Sequence, residues 1–318
     1  MTSEYRHTPV MLAQVAEALA LQAGEIACDC TLGGAGHTLA LAADLTPGGM
    51  LIGIDRDPLA LKVASERMAS GFPDLRFVAL HGNFSDLDDL LLEVCTPGVD
   101  AFLFDLGVSS PQLDLPERGF SYARSAPLDM RLDPGEPTLN AAEIINTTNE
   151  ADLTWILRFY GEERWAARIA HHIVEVRQRR PLATTDELVE LIREAIPAGA
   201  RRTGGNPAKR SFQALRIAVN GELDALRTGL EAAIRWLNPA GRIVVISYHS
   251  LEDRIVKELF ARMAQGCICP PEAPVCTCGH TPILTSVSRR PLTPASEEIE
   301  VNPRAASAKL RWAIKEAE

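Results

Sequence analysis

The sequence predicts a doubly wound α/β fold interrupted by an all-helical insertion, and two observations carry that reading. Four short apolar runs in the first third lead into a polar or acidic turn, and helical periodicity separates them: Ile26 to Asp29, Met50 to Asp55, Leu75 to Leu80 and Val99 to Asp105. Strands that alternate with helices build a parallel sheet, and its ligand crevice opens at the strand C-termini. From about Pro111 that rhythm stops, and residues 113–210 carry helical period with no strand signal. The α/β pattern then resumes, so residues 1–112 and 211–318 form one domain around an inserted one.

Each element has a local cause. Met11, Leu12, Val15 and Leu19 give a first helix, with Pro9 near its start. The first strand runs into Thr31-Leu32-Gly33-Gly34-Ala35-Gly36, and a helix over about 37–44 stops at Pro47-Gly48-Gly49. The second strand ends at Asp55, and Pro58 opens a helix to about Met68. The third strand leads through His81 to Phe84, then a helix over roughly 86–94 and the fourth strand. Residues 111–140 are rich in Pro, Asp and Arg and read as an irregular loop, followed by helices over 141–147, 150–160, 162–179 and 185–196. One helix is expected across Phe212–Leu237, a stop at Asn238-Pro239-Ala240-Gly241, and a strand from Arg242 to Ser247. Ser250 as N-cap with Asp253 at N3 predicts a helix to about Ala264, and pieces near 283–288 and 308–314 would close the sheet.

The glycine turn after the first strand is how a nucleotide-type site opens: glycines admit close backbone approach, and a helix N-terminus presents unpaired N–H groups. Asp55, one strand–helix–strand unit later, is placed to take both hydroxyls of a ribose. The dinucleotide pattern G-x-G-x-x-G fails, because Leu39 stands at the third glycine position after Gly34 and Gly36, and no G-x-x-x-x-G-K-[ST] is present. A ribose-binding acid without a diphosphate cradle suits an adenosyl ligand free of phosphate, such as S-adenosylmethionine. The same facts weigh against a nicotinamide-dependent oxidoreductase on a similar sheet.

The chain has 318 residues and a net charge of −10. Residues 1–113 hold 5 Lys/Arg against 15 Asp/Glu, whereas 114–211 hold 14 against 15 and 212–318 hold 13 against 12. The excess acid is therefore confined to the first third. Ala195 to Gly221 carries Arg201, Arg202, Lys209, Arg210 and Arg216 with no acid, a local field that a polyanion would feel at short range. No apolar run reaches membrane-spanning length and the opening residues lack a signal-peptide core, so a cytoplasmic location is expected. Of seven cysteines, Cys28, Cys30 and Cys95 read as small buried hydrophobes. Cys267-Ile268-Cys269 and Cys276-Thr277-Cys278-Gly279-His280 admit a zinc knuckle, a reduced hairpin or redox-labile thiols. Paired C-x-C is tighter than the usual C-x₂₋₄-C, and no metal ligand is assigned.

With these stretches in view, the chain resembles the family of ribosomal RNA small subunit methyltransferase H. The resemblance covers almost the whole chain. It rests on His7-Thr8-Pro9-Val10, Asp29 to Thr38, Asp55-Arg56-Asp57-Pro58, Asp105 to Asp114, Arg118-Gly119-Phe120-Ser121 and Pro127 to Arg131. It continues through Tyr160 to Arg164, Phe212 to Arg216, His249 to Arg254 and Asn302-Pro303-Arg304. The resemblance implies a class I S-adenosylmethionine-dependent methyltransferase fold with a helical substrate-recognition insertion. It also implies methylation of the N4 amine of one cytosine in the decoding region of 16S rRNA, on assembled small ribosomal subunits. A homodimer is compatible with it. By the same resemblance Gly34, Ala35, Gly36 and His37 would contact the methionine part of the cofactor, with Ala35 replacing a frequent glycine. Asp55 would hold the ribose, Phe84 would lie against the adenine, and Asp105 and Gln112 would complete the pocket.

A cytosine amine attacks poorly because its lone pair is delocalised into the ring. A carboxylate or carbonyl accepting its N–H bonds would orient it and favour a more nucleophilic nitrogen. Many amino-methyltransferases place an (Asp/Asn/Ser)-Pro-Pro-(Tyr/Phe) loop after the fourth strand; here Asp105-Leu106-Gly107-Val108-Ser109-Ser110 keeps the acid and lacks the rest. Asp105 or the Ser109/Ser110 backbone is expected to accept from the amine, with His249 as a second proton acceptor. Arg177, Arg179, Arg180, Arg201, Arg202, Lys209 and Arg210 are the expected RNA contacts, with Phe212 or Trp165 stacking on a base. A non-catalytic RNA-binding assembly factor with a vestigial pocket is the competing reading, and a protein or DNA target is left open by the residues alone.

Overall fold

The computed structural model describes residues 9–200, 206–267, 269–270 and 275–317, with the side chains of 110 and 111 left out. Arg201 and Arg202 lie outside the described residues. The chain divides into two compact units, Met1–Gly107 with Leu223–Glu318, and Val108–Glu222.

The first unit holds a seven-stranded sheet: β1 Ile26–Asp29, β2 Met50–Asp55, β3 Arg76–His81, β4 Val99–Asp105, β5 Leu237–Ser247, β6 Leu284–Val287 and β7 Lys309–Lys315. Their spatial order is β3-β2-β1-β4-β5-β7-β6. Strands β1 to β5 pair in parallel, while β7 runs antiparallel to both β5 and β6. That order, with the reversed strand tucked inside the last edge, is the class I methyltransferase topology. The order reverses direction between β1 and β4, and a crevice opens beyond the carboxyl ends of strands at such a switch point.

Side-chain alternation along the strands builds a layer on each face. Phe102 and Phe104 of β4 join Ile52, Ile54, Ile243 and Val245 against α4 (Leu87–Val94), α11 (Glu222–Trp236) and α12 (Ser250–Met263). Ala101 and Leu103 join Ala27, Leu51, Val244 and Ile246 against α1 (Leu12–Leu19), α2 (Gly36–Leu45) and α3 (Pro58–Gly71). Cys28 and Cys30 are buried here, but Cys95 is exposed. It ends α4 at a left-handed C-cap, φ 56°, where the chain turns out to solvent.

The second unit is helical: α5 Ser110–Asp114, α6 Ala141–Thr147, α7 Glu150–Phe159, α8 Ala166–Arg177, α9 Thr185–Ala195 and α10 Lys209–Asn220, with α13 (Ser296–Val301) back in the first unit. Capping boxes start α6 (Asn140 with Glu143) and α9 (Thr184 with Glu187). The single helix expected across Phe212–Leu237 is two, α10 and α11, broken at Gly221 with φ +61°. The two halves serve different cores. Phe212, Ala214, Leu215 and Val219 of α10 pack with the helical unit, whereas Leu226 and Leu230 of α11 pack under the sheet. Helical period alone does not say which core a helix faces. The expected stop at 238–241 lies within β5, where the strand bulges between its pairings Val99↔Leu237 and Ala101↔Arg242. Among the described residues, no helix is long and apolar enough to cross a membrane.

Candidate active site

Three carboxylates mark the strand ends of the first unit: Asp29 closes β1, Asp55 closes β2 and Asp105 closes β4. Asp29 is an organiser. Its Oδ2 accepts from the Thr38 hydroxyl at 2.6 Å and its Oδ1 from the Thr31 N–H at 3.1 Å. The Thr31 hydroxyl in turn accepts from the Asp105 N–H at 2.6 Å, so one buried acid ties the glycine turn to the end of β4. Burial pushes the Asp29 carboxyl up, against the Thr38 hydrogen bond and the charge of His37.

The glycine turn is held from several sides. Gly33 has φ +49° and Ala35 φ +60°, so Ala35 bears a Cβ in the left-handed region, fully buried against Leu32 and Ala64. Ala35 is the N-cap of α2 and no side-chain hydrogen bond caps that helix, which leaves its first N–H groups for a ligand or solvent. Arg67 donates to the Gly34 carbonyl. A Cβ on Gly36 would stand 2.8 Å from Pro9 Cγ, so glycine lets Pro9 pack against the turn. His37 is buried, and its Nε2 donates to the Val10 carbonyl at 2.9 Å. Its Nδ1 lies 3.5 Å from Asp105 Oδ2 and carries a proton only as imidazolium, because the carbonyl fixes the other proton on Nε2.

Asp55 accepts from Gly33 N–H at 2.7 Å on Oδ2 and from Asp57 N–H at 2.8 Å on Oδ1. Each oxygen keeps a second lone pair, the requirement for two vicinal hydroxyls. Burial, opposed by those two N–H donors, pushes its carboxyl up to about 6. Phe84 follows β3, packs edge-to-face on Phe104 with ring centroids 5.6 Å apart, and abuts Gly229, where a Cβ would come within 2.7 Å of the ring. It is half-buried, so core packing and an open ring surface coexist.

Asp105 Oδ1 accepts from the Tyr248 hydroxyl at 2.8 Å. Burial raises the Asp105 carboxyl, and the charge of His37 and the Tyr248 hydrogen bond pull it back. Burial, with Asp105 alongside, pushes the Tyr248 phenol far up, so Tyr248 is a permanent donor. Sequence reasoning passed over Tyr248 in favour of its neighbour. The signal was in the sheet order: β5 lies beside β4 with Asp105 opposite Ile246, so the residue two beyond Ile246 reaches the same crevice. His249 is the N-cap of α12, a place expected for Ser250. Its Nδ1 accepts from Glu252 N–H, with Glu252 returning bonds to the backbone in a capping box. Its Nε2 lies 3.1 Å from Glu252 Oε1.

The remaining expected residues fall in the helical unit. Ser109 N–H donates to Gln112 Oε1 at 2.9 Å, and the Ser109 carbonyl accepts from Leu113 N–H at 3.2 Å, so both backbone groups are used locally. Arg177 donates to the Ile145 carbonyl at 2.6 Å and serves as an interhelical tie. Arg180 pairs with Glu187, and Arg210 donates to the Glu162 carbonyl at 3.2 Å. Arg179 and Lys209 are exposed. Phe212, expected to stack on a base, is buried edge-on to Tyr122 and has no free face to offer.

The set Asp29, Asp55, Asp105 has a chemical meaning. Beyond the effect of burial, the charge of Asp29 raises both other carboxyls, and the glycine turn carries Leu39 where a diphosphate-binding pattern has its third glycine. Three such acids repel phosphate and suit a ligand that carries positive charge and hydroxyl donors. A sulfonium, an ammonium and a ribose answer that description, so the residues present fit S-adenosylmethionine. A profile of the MraW methylase family matches residues 4–316.

The chain belongs to the MraW methylase family.

It is similar to ribosomal RNA small subunit methyltransferase H of Brevibacillus brevis, 51% identical over 314 residues that cover 99% of each chain. It is likewise 52% identical over 311 residues to the protein of that name from Geobacter sulfurreducens, covering 98% of this chain and 99% of that one. A solved rRNA methylase from Streptococcus thermophilus is 11% identical with a TM-score of 0.42, covering 96% of this chain and 93% of that one. As a MraW methylase, the protein is an S-adenosylmethionine-dependent methyltransferase.

Proposed function

We propose that this MraW methylase transfers a methyl group to the N4 amine of one cytosine in the decoding region of 16S rRNA, on assembled small subunits. Two kinds of support converge. Relatives about half identical over their full length carry the name of a small-subunit rRNA methyltransferase. A half-buried carboxylate, Asp105, also ends β4 at the switch point with lone pairs to spare, as activation of a weakly nucleophilic amine requires.

Bound S-adenosylmethionine supplies an electrophilic methyl group on a sulfonium. Asp55 would hold its ribose, the turn Gly34 to His37 its methionine part, and Phe84 its adenine, with Gln112 in the sequence-based set. The work left to the protein concerns the amine. Asp105 as carboxylate accepts an amine N–H, aligns the nitrogen and localises its lone pair. Alignment of this kind is worth up to roughly 7–11 kcal/mol. Tyr248 holds Asp105 in orientation and favours its ionised form. Of the other candidates, His249 is engaged as a helix cap and Ser109 in the turn to Gln112. The target base must leave its stack to reach such a group.

The deciding experiment offers labelled S-adenosylmethionine with small subunits from a strain lacking the modification, and naked rRNA in parallel. Nuclease digestion and mass spectrometry then locate the product. N4-methylcytosine at one decoding-region position, on particles alone, is the expected result. No transfer to either substrate with cofactor binding intact would reject the proposal and favour an assembly factor.

Tyr248→Phe gives a separate expectation. Removal of the hydroxyl withdraws a donor that lowers the Asp105 carboxyl. The acid limb of the kcat–pH profile should move to higher pH, with kcat near the limb lower by about 2–10-fold, the worth of one hydrogen bond. An unmoved limb would disconnect Tyr248 from turnover.

The exposed cations are proposed to meet RNA phosphates. Neutralising Arg179 and Lys209, alone and together, should flatten the dependence of log K on log salt by about 0.7 for each phosphate that loses its cation on single-stranded RNA. An unchanged slope removes those residues from the footprint.

A further inference from the structure

Among the described residues between α12 and β6 there is no regular element, and none of those within 265–283 joins an apolar cluster. Four cysteines nonetheless converge there. Cys267 Sγ lies 3.4 Å from Cys276 Sγ and 3.8 Å from Cys278 Sγ. Cys276 Sγ lies 3.5 Å from Cys278 Sγ and 4.0 Å from Cys269 Sγ. All four sulfurs fall within 4.8 Å of one another, and none is joined in a disulfide.

We propose that Cys267, Cys269, Cys276 and Cys278 form a structural Zn²⁺ site that organises the segment between α12 and β6. Four ligands at a Zn–S distance of about 2.3 Å define a tetrahedron with S···S edges of about 3.8 Å. The observed separations of 3.4, 3.5, 3.8 and 4.0 Å straddle that edge. Two residues exposed to solvent, Cys267 and Cys276, gain nothing from meeting as apolar groups, so packing does not account for the cluster. Gly279, at φ +59°, turns the chain immediately after the last ligand.

Four thiolates close the coordination sphere and leave no position for water or substrate, so the ion is structural and stands apart from methyl transfer. The C-x-C spacing held back a sequence assignment, yet in three dimensions the two pairs meet with all four sulfurs within 4.8 Å of one another.

Full-length protein without a histidine tag, purified under reducing conditions, should carry about one Zn²⁺ per chain by elemental analysis, released by thiol-modifying reagent. Exchange with Co²⁺ should give the intense visible bands and sulfur charge transfer of a tetrahedral thiolate site. Cys276→Ser should lose at least about ten-fold in bound zinc, and S-adenosylmethionine binding by that variant reports whether it folds. If it does not fold, the wild-type metal content and Co²⁺ spectrum still decide. Wild-type protein with four free thiols and below about a tenth of an ion per chain overturns the site. So does a disulfide among these cysteines, trapped by alkylation in intact cells.

Discussion

Replacing Asp105 with asparagine should lower kcat by about 10²–10⁴-fold at saturating S-adenosylmethionine, the range for loss of a positioned proton acceptor. The amide keeps the shape and one acceptor, so Tyr248 still has an oxygen to meet. What is lost is the charge that makes the group an acceptor on all sides. Because Asp105 also belongs to the expected cofactor set, the cofactor dissociation constant should rise, but by less than about tenfold, one hydrogen bond's worth. The contrast between a large fall in kcat and a small change in affinity separates chemistry from binding. Full turnover in the variant would show that Asp105 is not catalytic. The acid limb follows the same logic. Burial raises this carboxyl, protonation removes its acceptor function, and activity must therefore fall as pH drops through its titration.

The second large effect concerns Asp55. In Asp55→Asn the ribose loses two hydrogen bonds to a charged acceptor, each worth about 1.5–3 kcal/mol. Weakening of cofactor binding by about 10²–10⁴-fold is expected, measured by calorimetry, with unfolding monitored alongside because Gly33 and Asp57 share the carboxylate. In the wild type, the same group makes affinity pH-dependent. Its carboxyl titrates near 6 in the folded protein. The hydroxyls donate to the ionised form, so affinity is full above that value and declines as pH falls through it. A dissociation constant flat from pH 7.5 to about 5 would exclude the ribose role. The sign for stability is opposite. The raised carboxyl disfavours folding at neutral pH, and that penalty is relieved as pH falls through about 6 toward the unfolded value of 3.8.

The strand-end acids of the candidate site were legible because they follow from one-dimensional pattern: an apolar run, then an acid, then a glycine turn or Pro58. Asp29, Asp55 and Asp105 needed no knowledge of neighbours. Tyr248 did. Its role depends on β5 lying next to β4, a pairing between segments far apart in sequence, while the adjacent histidine drew attention by its titration alone. The same limit explains Phe212, whose aromatic ring suggested stacking until the helical core claimed it. It also explains Arg177, a cation whose partner is a carbonyl of another helix. For Cys267 to Cys278 the spacing left several readings open, because sequence intervals do not show how closely four sulfurs converge in space.

The interruption between β4 and β5 has a consequence during synthesis. When β4 leaves the ribosome its outer edge exposes the backbone groups of Ala101 to Asp105, and the partner strand begins only at Leu237. At about 5–20 residues per second that edge waits roughly 7–25 s for its neighbour. Meanwhile the helical unit, whose helices lie close together in sequence, is completed. An open edge strand bearing Phe102 and Phe104 is a template for unwanted pairing over that interval. Nascent chains of this protein should therefore depend on chaperones most strongly between the emergence of residues 105 and 237, and a ribosome stalled in that window is where such dependence would be seen.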